Sequence, residues 1–235
     1  MGNITETIKH LIILNVILFV VPQFLNLDLT NILALHFPQN EHFGFWQYLT
    51  STFMHGSFGH ILFNMYGLYA FGTPLEQMWG KKKFLFFYFS TGIGASIIYT
   101  LVNYYQFNDA FEKLIELGAT KIEIMKLMNP TLIYNDEILQ TVNALYNTSA
   151  LGASGAVYGV LVAFGLYFKE AKLAMIFFPI PIAAKYFIPI LLLGDLFFGM
   201  TRYSVGNIAH FAHIGGALVG FIIAWYWKKN QFKFS

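Results

Sequence analysis

The chain contains no cysteine, which excludes disulfides, thiolate catalysis and Cys-ligated zinc. Charge is scarce too: 11% of the residues are Asp, Glu, Lys or Arg, where a soluble domain carries roughly 25%. The formal net charge of +2 is too small to point to nucleic acid as a partner. No His-Glu-x-x-His run occurs, which argues against a metalloprotease of that kind. There is no internal repeat and no low-complexity tract. No small-residue cleavage site follows the first apolar segment, which reads as a retained anchor and first span.

What the chain has in quantity is apolar surface. Of its 235 residues, 57% are hydrophobic and 19% aromatic, so lipid is the expected solvent. A span takes about 20 mostly apolar residues, and six stretches approach that length: 8–25, 58–79, 84–105, 154–168, 184–200 and 208–227. The fourth and fifth are short. Lys9, Lys81, Lys82, Lys83, Lys169, Lys172, Lys185, Lys228, Lys229 and Lys233 all fall on one side of such an arrangement. The positive-inside rule then makes that side, with both termini, cytoplasmic, and the expected location is a bacterial inner membrane. Two connections on the other side are long. The first holds Trp46 and Tyr48, which suit a membrane interface. The second, 107–148, has apolar residues at helical spacing and reads as an extramembrane helical hairpin between the third and fourth spans. In it Asp109 and Glu112 suggest a helix-starting capping box, Asn129-Pro130 a stop, and Asn135 a second cap. Asn147-Thr148-Ser149 matches a glycosylation sequon of the kind that occurs often by chance. The expected fold is an all-α membrane bundle of six spans, one domain over 1–235 with the insertion inside it.

Polar groups inside spans are costly and call for a reason. They gather in three segments. The fourth opens with Gly152-Ala153-Ser154-Gly155 and continues to Tyr158 and Gly159. A serine there lies near a helix N-terminus, whose free N–H groups favour a developing oxyanion. The bland alternative is a small-residue packing face. The sixth carries His210 and His213 with Gly215, Gly216 and Gly220. Small residues would let this helix approach the fourth closely enough for His213 to serve Ser154 as a base. His210 reads as a satisfied polar group near the outer interface. The second segment places His60 and Asn64 four apart on one face, either as donors to a common point or as interhelical glue. Zinc held by His55, His60, His210 and His213 lacks an accompanying carboxylate with ligand spacing. A Ser-Lys pair fails because the flanking lysines lie on the far side. No acidic residue is placed to orient His213; Asp195 falls near the outer end of the fifth segment. Serine chemistry would here be a dyad, its imidazole oriented by packing.

Taken together, these motifs resemble the rhomboid intramembrane serine proteases. Gly152-Ala153-Ser154-Gly155 resembles the family's Gly-x-Ser-Gly, Ala212-His213-Ile214-Gly215-Gly216 its Ala-His-x-x-Gly, and His60 with Asn64 its His-x-x-x-Asn. The resemblance covers about 40–227. It implies a six-helix rhomboid bundle, Ser154 as nucleophile and His213 as base. It implies an oxyanion site from the Ser154 N–H, His60 and Asn64, with Tyr158 and Gly152 at the substrate and Tyr158 stacked beneath the imidazole. It also implies single-span membrane proteins as substrates, membrane lipid around the protein, no cofactor and no metal. Oligomeric state is open. Substrate would enter beside the fifth helix under a cap near 200–206. One departure is Trp46-Gln47, where relatives often have Trp-Arg. Glu76 reads as structural.

Overall fold

The computed structural model describes residues 3–129, 131, 136–175, 178–200 and 209–230, with backbone alone for 174, 175 and 178–180. Its helices are α1 (Glu6–Phe24), α2 (Thr30–Leu33), α3 (Gln47–Thr50), α4 (Phe58–Gly67), α5 (Thr73–Trp79), α6 (Lys81–Glu116), α7 (Lys121–Lys126), α8 (Glu137–Asn147), α9 (Ser154–Tyr167), α10 (Ala184–Met200) and α11 (His210–Asn230). Three of them, α1, α6 and α11, are long and apolar enough to cross a membrane on their own. The second expected segment is composite: α4 passes through a π-helical turn, Leu68–Gly72, into α5. Pro74 explains the break, since it has no N–H for the preceding turn and sits in the first turn of α5. The fourth expected segment is the shorter apolar helix α9.

α9 is the centre of the bundle. Ala156, Val160 and Ala163 are buried along it, and it packs against α6 and α11. Its contact with α11 is backbone on backbone. A Cβ at Gly220 would lie 2.6 Å from Gly159 Cα, and one at Gly216 would overlap the Gly155 carbonyl. At the C-terminal end of α9, Lys228 Nζ donates to Leu166 O at 2.5 Å. Lys83 Nζ there lies 4.4 Å from the Trp227 ring, and Trp79 packs on Trp227 at 5.2 Å. Lysines over tryptophans mark a membrane–water boundary. The N-terminal end of α9, with Ser154, is the opposite end. Glu76 is structural: its carboxylate accepts from Thr7 N at 3.2 Å, Ile8 N at 3.1 Å and the Thr5 hydroxyl, capping the free N–H groups that begin α1.

Three local expectations need correction. The chain is not purely helical: β1 (Lys172–Met175) and β2 (Phe178–Ala183) form an antiparallel hairpin with Lys172 opposite Ala183. Asp109 starts no helix. It lies inside α6, where Lys113 Nζ donates to it at 2.6 Å across one turn. The capping box is one helix later, at Thr120 and Glu123. At the start of α8 the cap is Asp136, which accepts from Leu139 N at 2.7 Å; Asn135, Pro130 and the 201–206 part of the expected cap lie outside the described residues.

α6 has 36 residues, about 54 Å at 1.5 Å each, against a hydrocarbon core of about 30 Å. Its last turns carry a second small core, separate from that of the bundle, of Phe107, Ala110, Leu114, Ile124 and Val142, closed by Phe37 from the first connection. The Phe37 and Phe107 rings lie 4.7 Å apart. The return strand from α8 pairs with the same connection, Leu35 and Ala150 exchanging N–H···O bonds of 2.8 Å, and leads directly to Ser154. Gln47, fully buried, ties that connection together: its Oε1 accepts from His36 N at 3.1 Å and its Nε2 donates to His42 O at 2.7 Å.

Candidate active site

Ser154 is the first residue of α9. The approach to it needs glycine: Gly152 has φ +128°, a region where side chains are strained. Its N–H donates to Ser51 O at 2.9 Å. A Cβ there would stand 2.7 Å from His60 Nε2 and 3.6 Å from Ser154 Oγ. Gly152 is thus the gap that lets the His60 ring and the Ser154 hydroxyl face one space.

That space is a cavity of about 920 Å³ lined by Ser154, His60, Asn64, Tyr158, His210 and His213, among others. The six side chains come from three helices, α4, α9 and α11. Ser57 caps α4 by accepting from His60 N at 3.2 Å, which fixes the turn that presents His60 and, one turn on, Asn64. Asn64 is buried, and its Nδ2 has no hydrogen-bond partner among the described residues. A buried amide donor without a partner is costly. Tyr158 lies flat on His213, ring centroids 4.2 Å apart and 10° from parallel.

Five of the site residues expected from the sequence line this one cavity, Ser154, His213, His60, Asn64 and Tyr158; the sixth, Gly152, lies against the His60 ring. His210 is a satisfied polar group, as expected: its Nδ1 lies 2.7 Å from Asp195 Oδ1. One reading changes: His213 does have a carboxylate beside it, with its Nδ1 3.2 Å from the same oxygen. Tyr158 OH donates to the other oxygen of Asp195. Asp195 and His213 are only 10% and 12% exposed. Asp195 was missed because 18 residues and a connection separate it from His213. The one signal available was an acid in an apolar helix, itself a reason to look for a partner. Asp195, His210 and His213 also offer three ligand atoms within 4.8 Å of one another. Their mutual hydrogen bonds account for that cluster, and His55 and His60 are not in it.

A serine at a helix N-terminus and an imidazole beside a carboxylate and a stacked phenol line one cavity of a mostly helical protein with membrane-length apolar helices. The chain belongs to the rhomboid family: the Rhomboid domain model matches residues 42–230. It is 27% identical to "Rhomboid protein 1, mitochondrial" of Saccharomyces cerevisiae, over 76% of this chain and 41% of that protein. It is 32% identical to "RHOMBOID-like protein 12, mitochondrial" of Arabidopsis thaliana, over 79% of this chain and 47% of that one. With "Rhomboid protease AarA" of Providencia stuartii it shares 26% identity, over 76% and 54%. The chain spans about half the length of these curated relatives. The relatives overturn the expected bacterial inner membrane, since yeast, plant, bovine and fission-yeast proteins among them are named mitochondrial. The lysine asymmetry sorts the two faces of a bilayer; it carries no information on which bilayer.

Proposed function

We propose that this chain is an intramembrane serine endopeptidase that cuts transmembrane proteins in the half of the bilayer nearer Ser154. Ser154 Oγ attacks the scissile carbonyl carbon while its proton passes to His213 Nε2. The resulting oxyanion is held by the Ser154 N–H, His60 and Asn64. The C–N bond breaks as His213 returns the proton to the leaving amine, leaving an acyl-enzyme. Water then attacks that ester by the reverse sequence, with His213 again as base. The observation that supports this reading best is the one cavity that Ser154, His213, His60 and Asn64 all line. His60 and Asn64 are residues of the donor type that an oxyanion formed there would need.

The names of two relatives, "Rhomboid protease AarA" and "Rhomboid protease GluP" of Bacillus subtilis, support protease activity. The mitochondrially named relatives favour a mitochondrial membrane. The six-span arrangement is part of the proposal, with α4–α5, α9 and α10 crossing alongside the three longer helices. So is the role of 107–148 as an outer insertion, one that steadies the strand leading to Ser154 through Phe37 and Leu35.

The test is cleavage of single-span membrane peptides by the purified chain in lipid vesicles. Cleavage by wild type and none by Ser154→Ala is expected. Equal cleavage by Ser154→Ala would overturn the assignment of the nucleophile.

A further inference from the structure

We infer that Asp195 is a positioning residue for the base: it fixes the tautomer of His213 and stabilises its protonated form, so the site works as a Ser154–His213–Asp195 triad rather than a dyad. The inference rests on the reading of Ser154 and His213 given above.

The argument starts from hydrogen-bond inventory. An ionised carboxylate only accepts. Asp195 Oδ1 faces His210 Nδ1 at 2.7 Å and His213 Nδ1 at 3.2 Å, and its other oxygen accepts from Tyr158 OH. For one oxygen to satisfy both imidazoles, each must present an N–H at Nδ1. A neutral imidazole carries one proton, so His213 is held with its Nε2 lone pair open. That is the form a general base needs, and it is set from the far side of the ring. The Tyr158 ring, stacked at 4.2 Å, fixes the imidazole plane. One carboxylate and one tyrosine therefore determine position, rotation and tautomer together.

The same contact acts during the reaction. When Ser154 Oγ bonds to the carbonyl carbon, its proton moves to Nε2 and His213 becomes an imidazolium. Asp195 keeps its charge and takes no proton, and a negative group beside a nearly buried cation lowers the energy of that state. The ionisable groups that face His213 are Asp195 from α10, His210 from its own helix, Tyr158 from α9 and His60 from α4. Asp195 is the only carboxylate among these described residues. Because Asp195 rides on α10, the base is set correctly only while α10 is docked. Displacement of α10 would release the His213 tautomer.

The competing account makes Asp195 a latch that merely holds α10 to the bundle. The rate of fluorophosphonate labelling against pH separates the two, supported by ¹⁵N-histidine NMR of the protein in micelles. In Asp195→Asn, which keeps the shape, labelling at neutral pH is expected to fall on the order of 10²–10⁴-fold. The acid limb of its profile should move to lower pH, because the imidazolium has lost its carboxylate and forms less readily. Asp195→Glu should recover part of the rate. In wild type the NMR spectrum should show the His213 proton on Nδ1. A folded Asp195→Asn protein with wild-type rate and acid limb would leave only the latch and overturn the inference. So would a wild-type His213 protonated on Nε2, whatever the activity. A wild type that is never labelled counts against the serine reading; the NMR arm still decides for or against Asp195.

Discussion

α11 and α10 both pack beside α9, but they are held in opposite ways. α11 meets α9 through Gly155, Gly159, Gly216 and Gly220, with no side chain between the backbones. Nothing can slide along such a seam without collision. α10 buries only Ala184, Ile188 and Asp195. Tyr186, Ile190, Leu193, Phe197 and Met200 on it are exposed to the surrounding medium, and Pro189 interrupts its hydrogen bonding. Steric interlock thus holds the helices of Ser154 and His213 at fixed depth, whereas a few apolar contacts and one carboxylate hold α10. The proposed function calls for both: a rigid pair of reacting groups and a more loosely held neighbour.

The largest effect should come from breaking the seam. Gly216→Val puts two methyl groups where the Gly155 carbonyl stands, and overpacking of this kind costs about 3 kcal/mol. Thermal melts in micelles should drop sharply, and serine labelling should disappear with them.

Between the two regions lies the cavity, and Asn64 tests its wall. Asn64→Ala should lower activity about 100-fold, as loss of an oxyanion donor does. Its melting temperature should hold or rise, since the variant removes a buried orphan donor. A parallel loss of stability and rate would make Asn64 a structural residue.

His55, in the turn before α4, is buried, and burial with the nearby His60 lowers its pKa from 6.5 to about 4. A histidine whose folded pKa is depressed contributes full stability above its unfolded value and loses it as pH falls. Stability should therefore decline between pH 6.5 and about 4, by roughly 2–3 kcal/mol. His55→Gln should flatten that slope, as read from melts across the range.

The smallest effect sharpens the contrast most. A Cβ at Gly194 on α10 meets nothing within 4 Å, so Gly194→Ala should be neutral or stabilising by about 0.5–1 kcal/mol. Gly220→Ala, the same change on the seam, should destabilise. Equal effects at the two sites would erase the distinction between the helices.

Much of this site was legible because its chemistry stands out against lipid-like sequence. Ser154 between glycines, His213 among small residues, and His60 with Asn64 one turn apart are visible as costs that need an explanation. The close approach of α9 and α11 was legible for the same reason, from glycines at four-residue spacing. Asp195 was visible as an anomaly but not as a partner. Which face of α10 meets His213 depends on a rotation of that helix for which the sequence carries no periodic signal. That hairpin was itself illegible: a short apolar run such as Phe178–Ala183 reads alike as strand or helix. The third span was expected to end near Tyr105, because polar residues begin there. α6 instead continues to Glu116, since Phe107, Ala110 and Leu114 find a second core beyond the bundle.

The central claim is that Ser154 is activated by His213. It is tested most directly by covalent labelling with a fluorophosphonate probe, comparing folded wild type, Ser154→Ala and His213→Ala. Labelling of wild type and of neither variant is the predicted result. Labelling that persists in Ser154→Ala, or its absence from folded wild type, would contradict it.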